Sequence, residues 1–341
     1  MRLLGGRLAS HQALTSMWVN LIGCTANREL ICRGDYMKIG IYGGNVRRGA
    51  PLTSVVDDAA AMEDRGFTSY WMPQAGSFDV LTMIGVVGQN TSRIELGTAV
   101  IPSYPRHPNA LAEQAATANA LCGGRLVLGV GPSHAPAIER LGLSYDRPAH
   151  HMREYVSILR SLTETGRVDF AGDMYQMQTG FACPDAQPFP IVISALAPLM
   201  LKVAGEVADG TVTWMVGRKT IGDHTAPRIN RAARDANRES PRVVVGVPVC
   251  CHDDKDEAIA RSIQIFQHYT QLPNYRRQLD SEGLDQAGEI AVVGNEQEIE
   301  AGLQAFFDAG ATEIIASVYP AGPSGRASFE RTLDCLAALA N

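Results

Sequence analysis

No stretch of this 341-residue chain approaches the ~20 consecutive apolar residues of a membrane-spanning helix, so no membrane association is expected. An excess of positive charge is missing too. Thirty Lys and Arg face 36 Asp and Glu, a formal net charge of −6, and the basic residues are scattered, which leaves no footprint for nucleic acid. Seven cysteines without CxxC spacing argue against a zinc site and a disulfide framework. Cys250-Cys251, closing the apolar run "VVVGVPVCC", reads as packing in a reducing compartment, and the expected location is cytoplasmic. No H-E-x-x-H occurs, and adjacent helical residues such as His150-His151 point about 100° apart, so no metal is expected. No GxSxG nucleophile motif is present. "GVGPSH", 129–134, begins a GxGxxG pattern but ends on His134, so the dinucleotide fingerprint is not met.

What is present is a repeated unit. In "AMEDRGFTSYWM", "LCGGRLVLGV", "EVADGTVTWM" and "FFDAGATEIIASV" a helical pattern meets a glycine, and a strand begins within two residues. Glycine suits that place because helices often terminate through a left-handed residue. The strands are near-continuous apolar runs, as expected of parallel strands covered on both faces. Candidate strands are 38–42, 67–72, 94–101, 126–130, 190–194, 211–215, 243–249 and 312–318. Between them, "PNALAEQAATANAL" repeats Leu111, Ala115, Ala118 and Leu121 at helical spacing behind Pro108. "RPAHHMREYVSILRSL" places Met152, Tyr155, Val156 and Leu159 on one side. Eight strand–helix units over about 300 residues predict an α/β fold, a (β/α)8 TIM barrel, with an open doubly wound sheet as competitor. Segments 165–189 and 268–279 interrupt the rhythm and read as insertions after strands 4 and 7, either roofing a site or lying in solvent.

Residues 1–36 lack clean periodicity and read as an N-terminal extension, a disordered tail or mis-called start, before a single barrel domain over 37–341. "LIGC" at 21–24 resembles a lipoprotein cleavage box, but His11, Gln12 and Asn20 make a poor apolar region for export.

"ELGTAVIPSYPRHP", 95–108, starts as a strand and breaks into three prolines with Tyr104, Arg106 and His107. In a barrel the loops after the strands form the active face, so this stiff loop should project over the mouth. His107 reads either as a site residue or as the cap of the next helix, and Arg106 either as an anion partner or as a surface charge. Gln74 should reach the mouth from strand two. "SALAP", 194–198, opens a helix with small residues and offers free N–H groups to a phosphate, or is an ordinary cap by Ser194. Trp214 ends strand six and either walls a pocket or packs in the core. His134, neutral near pH 7, is either a proton carrier or a plain loop histidine.

"IELGTAVIPSYPRHPNALAEQAATANALCGGRLVLGVGPSH", 94–134, resembles the luciferase-like superfamily of flavin- and deazaflavin-dependent oxidoreductases, in its coenzyme F420-dependent branch. "LGLSYDRPAHHMREYVSILR", "DFAGDMYQM", "PIVISALAPLMLKVAGEVADGTVTWM" and "QLPNYRRQLDSEG" agree, and the resemblance spans about 37–341. It implies a non-proline cis peptide in a bulge on strand three, within Gly97-Thr98-Ala99-Val100 and most expected at Ala99-Val100, backing the cofactor's central ring. Cofactor contacts are then expected at Gln74, Thr98, Ala99, Val100, Arg106, His107, Gly131, Ser194, Ala195, Leu196, Ala197 and Trp214. The phosphate would rest on 194–197, where the family often has glycines in place of Leu196 and Ala197. Tyr275, Arg276 and Arg277 would meet an anionic tail. His134 or His107 would deliver a proton; some members carry an acidic residue at the His134 position. Deazaflavin-dependent sugar-phosphate dehydrogenases have an acidic–histidine pair where this chain has Pro73-Gln74, which argues against a sugar phosphate. The implied activity is hydride transfer between coenzyme F420 and a small organic substrate. The alternatives are a monooxygenase using reduced FMN and a flavin-binding protein without turnover. A homodimer is expected by analogy.

Overall fold

A computed structural model describes residues 37–44 and 50–340. The expectations about 1–36, including the "LIGC" box, lie outside the described residues. From Met37 onward the chain forms one compact unit.

Eight parallel strands close on themselves: β1 (Ile39–Tyr42), β2 (Ser69–Met72), β3 (Glu95–Thr98), β4 (Leu126–Gly131), β5 (Ile191–Ile193), β6 (Gly210–Trp214), β7 (Arg242–Cys251) and β8 (Glu313–Val318). Each pairs with its chain neighbour, and β8 returns to β1 with Ile314 opposite Ile39, so no edge is left. The sheet is a closed barrel, and the doubly wound alternative is gone. Strand three, read as continuous over 94–101, is interrupted and resumes at Ile101–Pro102, and one short piece went unread in the sequence, Val292–Gly294, which pairs with the end of β7.

Helices surround the barrel: α1 (Ser54–Asp64), α2 (Val80–Gln89), α3 (Pro108–Leu121), α4 (Pro148–Thr165), α5 (Pro198–Val207), α6 (Ala226–Asp235), α7 (Lys255–Thr270), α8 (Pro273–Glu282), α9 (Glu296–Asp308) and α10 (Gly325–Ala340). Helical periodicity located their buried faces well. Met152, Tyr155, Val156 and Leu159 of α4 are all enclosed, each worth roughly 1.5–3 kcal/mol for an apolar side chain of that size. Leu111, Ala115 and Ala118 of α3 are buried as well, but Leu121 is 46% exposed, because the helix ends there and turns its last residue outward. The glycine turns at Gly66, Gly123-Gly124 and Gly310 adopt positive φ. Gly210 does not. It is extended strand, needed because a Cβ there would lie 2.3 Å from the Arg242 carbonyl oxygen of the adjoining strand.

The barrel interior is layered. At its N-terminal end Arg242 holds Glu95 through two bonds of 2.9 and 2.8 Å and also reaches the buried Glu313, while Lys38 lies 3.2 Å from each carboxylate. Trp71 donates its indole N–H to Ser69 Oγ at 2.9 Å, closing this ionic floor. Above it Trp71, Val127, Val192, Val212, Val244 and Ile315 fill the middle, with Tyr42, Ala99 and Val100 packed on top. Trp71 needs the room that Gly97 leaves, since a Cβ at 97 would be 2.2 Å from the indole. The next layer toward the C-terminal end is open.

The two interruptions differ in use. Segment 165–189 is an antiparallel hairpin, Arg167–Ala171 with Gln176–Gly180. Its tip is tied to Glu154, whose carboxylate accepts the N–H groups of Asp173, Met174 and Tyr175 at 2.8–3.0 Å. The expectation that it roofs the site is corrected: no hairpin residue lines the cavity described below, because this clamp holds the tip against α4. Segment 268–279 instead forms the end of α7 and the start of α8, and it does reach the mouth.

Candidate active site

A cavity of about 540 Å³ opens where the strands end. Its base is the Ala99-Val100 peptide, which is cis, at the position the resemblance indicated. The irregular geometry lets Ala99 and Val100 line the cavity and the chain resume pairing at Ile101. Thr98, directly before it, is buried and does not line the cavity. Its hydroxyl donates to the Gly129 carbonyl at 2.7 Å and accepts the Gly129 N–H at 2.8 Å, stitching β3 to β4. Tyr42 at the end of β1 donates from its hydroxyl to the Ala99 carbonyl at 3.3 Å and stacks on Trp214, ring centroids 4.6 Å apart. Trp214 therefore is a cavity wall.

Across from it, Ser194 directly follows β5, and Ser194, Leu196 and Ala197 line the cavity while Ala195 is buried in the core. Ser194 caps nothing. The residue before α5 is Ala197, with no side chain over the helix's free N–H groups. Gly131 faces this turn: a Cβ there would lie 2.2 Å from Ser194 Oγ and 3.0 Å from Val100. Arg277 and Asn274 of α8 come down beside Leu196 and Ala197. A second, smaller cavity of about 200 Å³ continues from these four residues, with His224 bonded to the Leu196 carbonyl at 2.9 Å. Uncapped helix N–H groups and one guanidinium suit an anion. Arg276, by contrast, turns outward to Asp280 and the Asp285 carbonyl.

His134 lines the cavity behind Ser133, a non-glycine residue at φ 62. Desolvation lowers the pKa of its imidazole, so the ring is neutral at working pH. Gln74 also lines the cavity, but its amide is engaged locally, donating to the Phe78 carbonyl at 3.1 Å and accepting the Val80 N–H at 3.0 Å.

Two expectations about the proline-rich loop are corrected. His107 stands outside the cavity lining, its Nδ1 accepting the Asn109 N–H at 3.3 Å as the cap of α3. Arg106 pairs with Asp79, the cap of α2, and extends to Gln114. The loop does run past the mouth, but the barrel twist turns these side chains outward to helix ends, and Pro102 faces inward instead. Sequence reasoning also passed over Tyr42, Tyr145 and Tyr269. Tyr42 was findable as the last residue of a barrel strand. Tyr269 lies within the segment 268–279 read as an interruption, but nothing singled it out there, and it arrives from the far end of α7.

His150 and His151 point apart. His151 is interior, its Nε2 2.8 Å from Ser103 Oγ and its ring stacked on Tyr104, while His150 meets Glu154 at 2.9 Å and Asp173 at 3.3 Å. The Glu154 carboxylate is already taken up by three backbone N–H groups, so the trio serves the hairpin.

A luciferase-like monooxygenase family model matches residues 37–313. A 5,10-methylenetetrahydromethanopterin reductase of Methanolobus tindarius is 28% identical over 246 residues, 72% of this chain and 75% of that protein. A solved coenzyme F420-dependent tetrahydromethanopterin reductase from Methanopyrus kandleri shares the fold at TM-score 0.72 and 21% identity, covering 87% of this chain and 97% of that one. The FMN-bound oxygenating constituent of 3,6-diketocamphane monooxygenase from Pseudomonas putida does so at TM-score 0.70 and 16% identity, covering 88% and 96%. No helix among the described residues is long and apolar enough to cross a membrane. With this barrel and that match over most of its length, the chain belongs to the luciferase-like monooxygenase family and is an oxidoreductase of that family.

Proposed function

We propose that the chain is a coenzyme F420-dependent oxidoreductase that moves hydride between the deazaflavin and a small organic substrate. The observation that carries this reading is the pairing of a flat, small-residue ledge at Ala99-Val100 with an anion seat at the uncapped start of α5. Those residues fit a planar ring with an anionic tail: Ala99 and Val100 are small enough for close approach, and Arg277 lies beside Ala197. The bound cofactor supplies the hydride chemistry itself. The protein's part is support, orientation and exclusion of water. Ala99 and Val100 back the ring, with the Tyr42 hydroxyl bracing the Ala99 carbonyl. Ser194, Leu196, Ala197, Asn274 and Arg277 hold the phosphate and tail. Tyr42 and Trp214 keep water from one side. His134, neutral and half-buried, holds or accepts a proton at a ring nitrogen; His107 is out of reach. The smaller cavity beyond Arg277 favours a long anionic tail over the single phosphate of FMN.

Fluorescence titration of the full chain with coenzyme F420 and, separately, with FMN tests the choice. Saturable binding of the deazaflavin well below the FMN concentration required supports it. Preferred FMN binding, with oxygen consumed by the reduced flavin and an oxygenated product, makes the chain a monooxygenase. Tight binding without substrate-accelerated loss of hydride makes it a carrier without turnover.

A further inference from the structure

The cavity end formed by α7 and α8 is a cluster of phenols that the ledge and the anion seat leave unexplained. Tyr269 and Tyr275 pack with ring centroids 5.0 Å apart, Trp214 meets Tyr269 edge-on at 6.0 Å, and Tyr42 completes the group from β1. Tyr275 is only 7% exposed and lines the cavity, yet no residue among those described hydrogen-bonds its hydroxyl. Buried polar groups are normally satisfied, and among the described residues this hydroxyl is left to a molecule in the cavity it lines. Tyr269 is arranged alike. The Trp214 N–H interacts with its oxygen, though outside good hydrogen-bond geometry, and an indole N–H is only a donor. The phenol proton of Tyr269 is thereby left to point elsewhere.

We propose that Tyr275, with Tyr269 beside it, receives the oxygen of a compact, uncharged carbonyl compound, a ketone or aldehyde, against the Trp214 wall. Both phenols are protonated donors across the working pH range, because burial raises their pKa. Each therefore has a proton to offer an acceptor in the cavity. Among the described residues that line the cavity there is no Asp or Glu to pair with a cation, and the one permanently charged side chain, Arg277, belongs to the anion seat. About 540 Å³ falls within the usual range for a small-molecule site, and a cavity that also takes a tricyclic ring leaves room only for a small second molecule. The inference rests on reading this cavity as the reaction site.

The test uses the full chain without cofactor and carbonyl-¹³C cyclohexanone as probe, following binding and the carbonyl stretching frequency. Saturable binding with a lowered frequency is expected. In Tyr275→Phe the band should move back toward its value in apolar solvent and the Kd should rise about three- to tenfold, with the thermal midpoint unchanged. Tyr269→Phe should do the same in smaller measure. An identical band in wild type and Tyr275→Phe overturns the proposal, as does methylcyclohexane binding as well as the ketone. So does a Tyr275→Phe effect confined to F420 or FMN affinity. A shifted ketone band in a protein that binds neither cofactor keeps the carbonyl site and removes the proposed function; cofactor binding without any ketone band does the reverse.

Discussion

Thr98 and Gly129 exchange two hydrogen bonds, side chain to backbone, at 2.7 and 2.8 Å in the buried layer directly beneath the cavity ledge. Strand three cannot pair regularly past this point, so one hydroxyl stands in for the missing ladder. Thr98→Val keeps the shape and leaves a buried N–H and a buried C=O of Gly129 unpaired. The expected loss is about 2–4 kcal/mol in urea unfolding, with Thr98→Ser losing much less. Equal stability of Thr98→Val and wild type would show the pair to be energetically idle. Gly129→Ala is expected to be worse than either, since its Cβ would lie 1.9 Å from the Thr98 carbonyl oxygen, where only backbone movement gives relief.

Protonation of a buried imidazole sets a pH limit. His151 is 2% exposed, and burial, opposed in part by Glu154, pushes its pKa down to about 4. The groups around it are Ser103, Tyr104, Tyr155, Tyr175 and Glu154. Below its ordinary value near 6.5 the unfolded chain binds a proton that the folded one refuses, so stability falls as pH drops from about 6.5 to about 4. The upper bound is about 3 kcal/mol. Urea midpoints at pH 7.5 and 5 measure it, and His151→Asn should flatten the slope across that window.

Glu154→Gln separates the hairpin from the site. The amide keeps one acceptor oxygen and places an NH₂ against N–H groups, so the tip at Asp173–Tyr175 loses its anchor. Limited proteolysis should cut between residues 171 and 176 several-fold faster. Cofactor affinity should stay within about twofold, because the hairpin contributes nothing to the cavity lining. A large loss of affinity would mean that the hairpin acts on the mouth at a distance.

Arg277→Ala addresses the anion seat. Removing the guanidinium beside Ala197 should weaken F420 binding about tenfold or more at low salt, by an amount that shrinks as ionic strength rises. Binding of a deazaflavin fragment without phosphate should change little. If both ligands weaken alike, Arg277 shapes the cavity and does not hold a charge.

The eight strands were legible because each is a short apolar run bounded by a turn signal, and the order of runs and helical patterns leaves few ways to cover both faces. The helical faces were legible for the same reason: Met152, Tyr155, Val156 and Leu159 repeat at the spacing of one turn. The ledge at Ala99-Val100 came from resemblance, and its run of small residues alone would equally have suited a tight interior. The hairpin was seen only as an interruption, since in "RVDFAGDMYQMQTG" the apolar face is short, Val168, Phe170 and Met177, and lies between strands that are otherwise polar and exposed.

Periodicity and turn chemistry determined the barrel, because they are properties of consecutive residues. Tertiary structure alone decided which side chains face the mouth. Arg106 and His107 stand in the right loop, yet Asp79 and the end of α3 claim them, while Tyr269 and Tyr275 come from helices far along the chain. A side chain's direction depends on the strand twist and on partners distant in sequence, and neither is written in the local pattern.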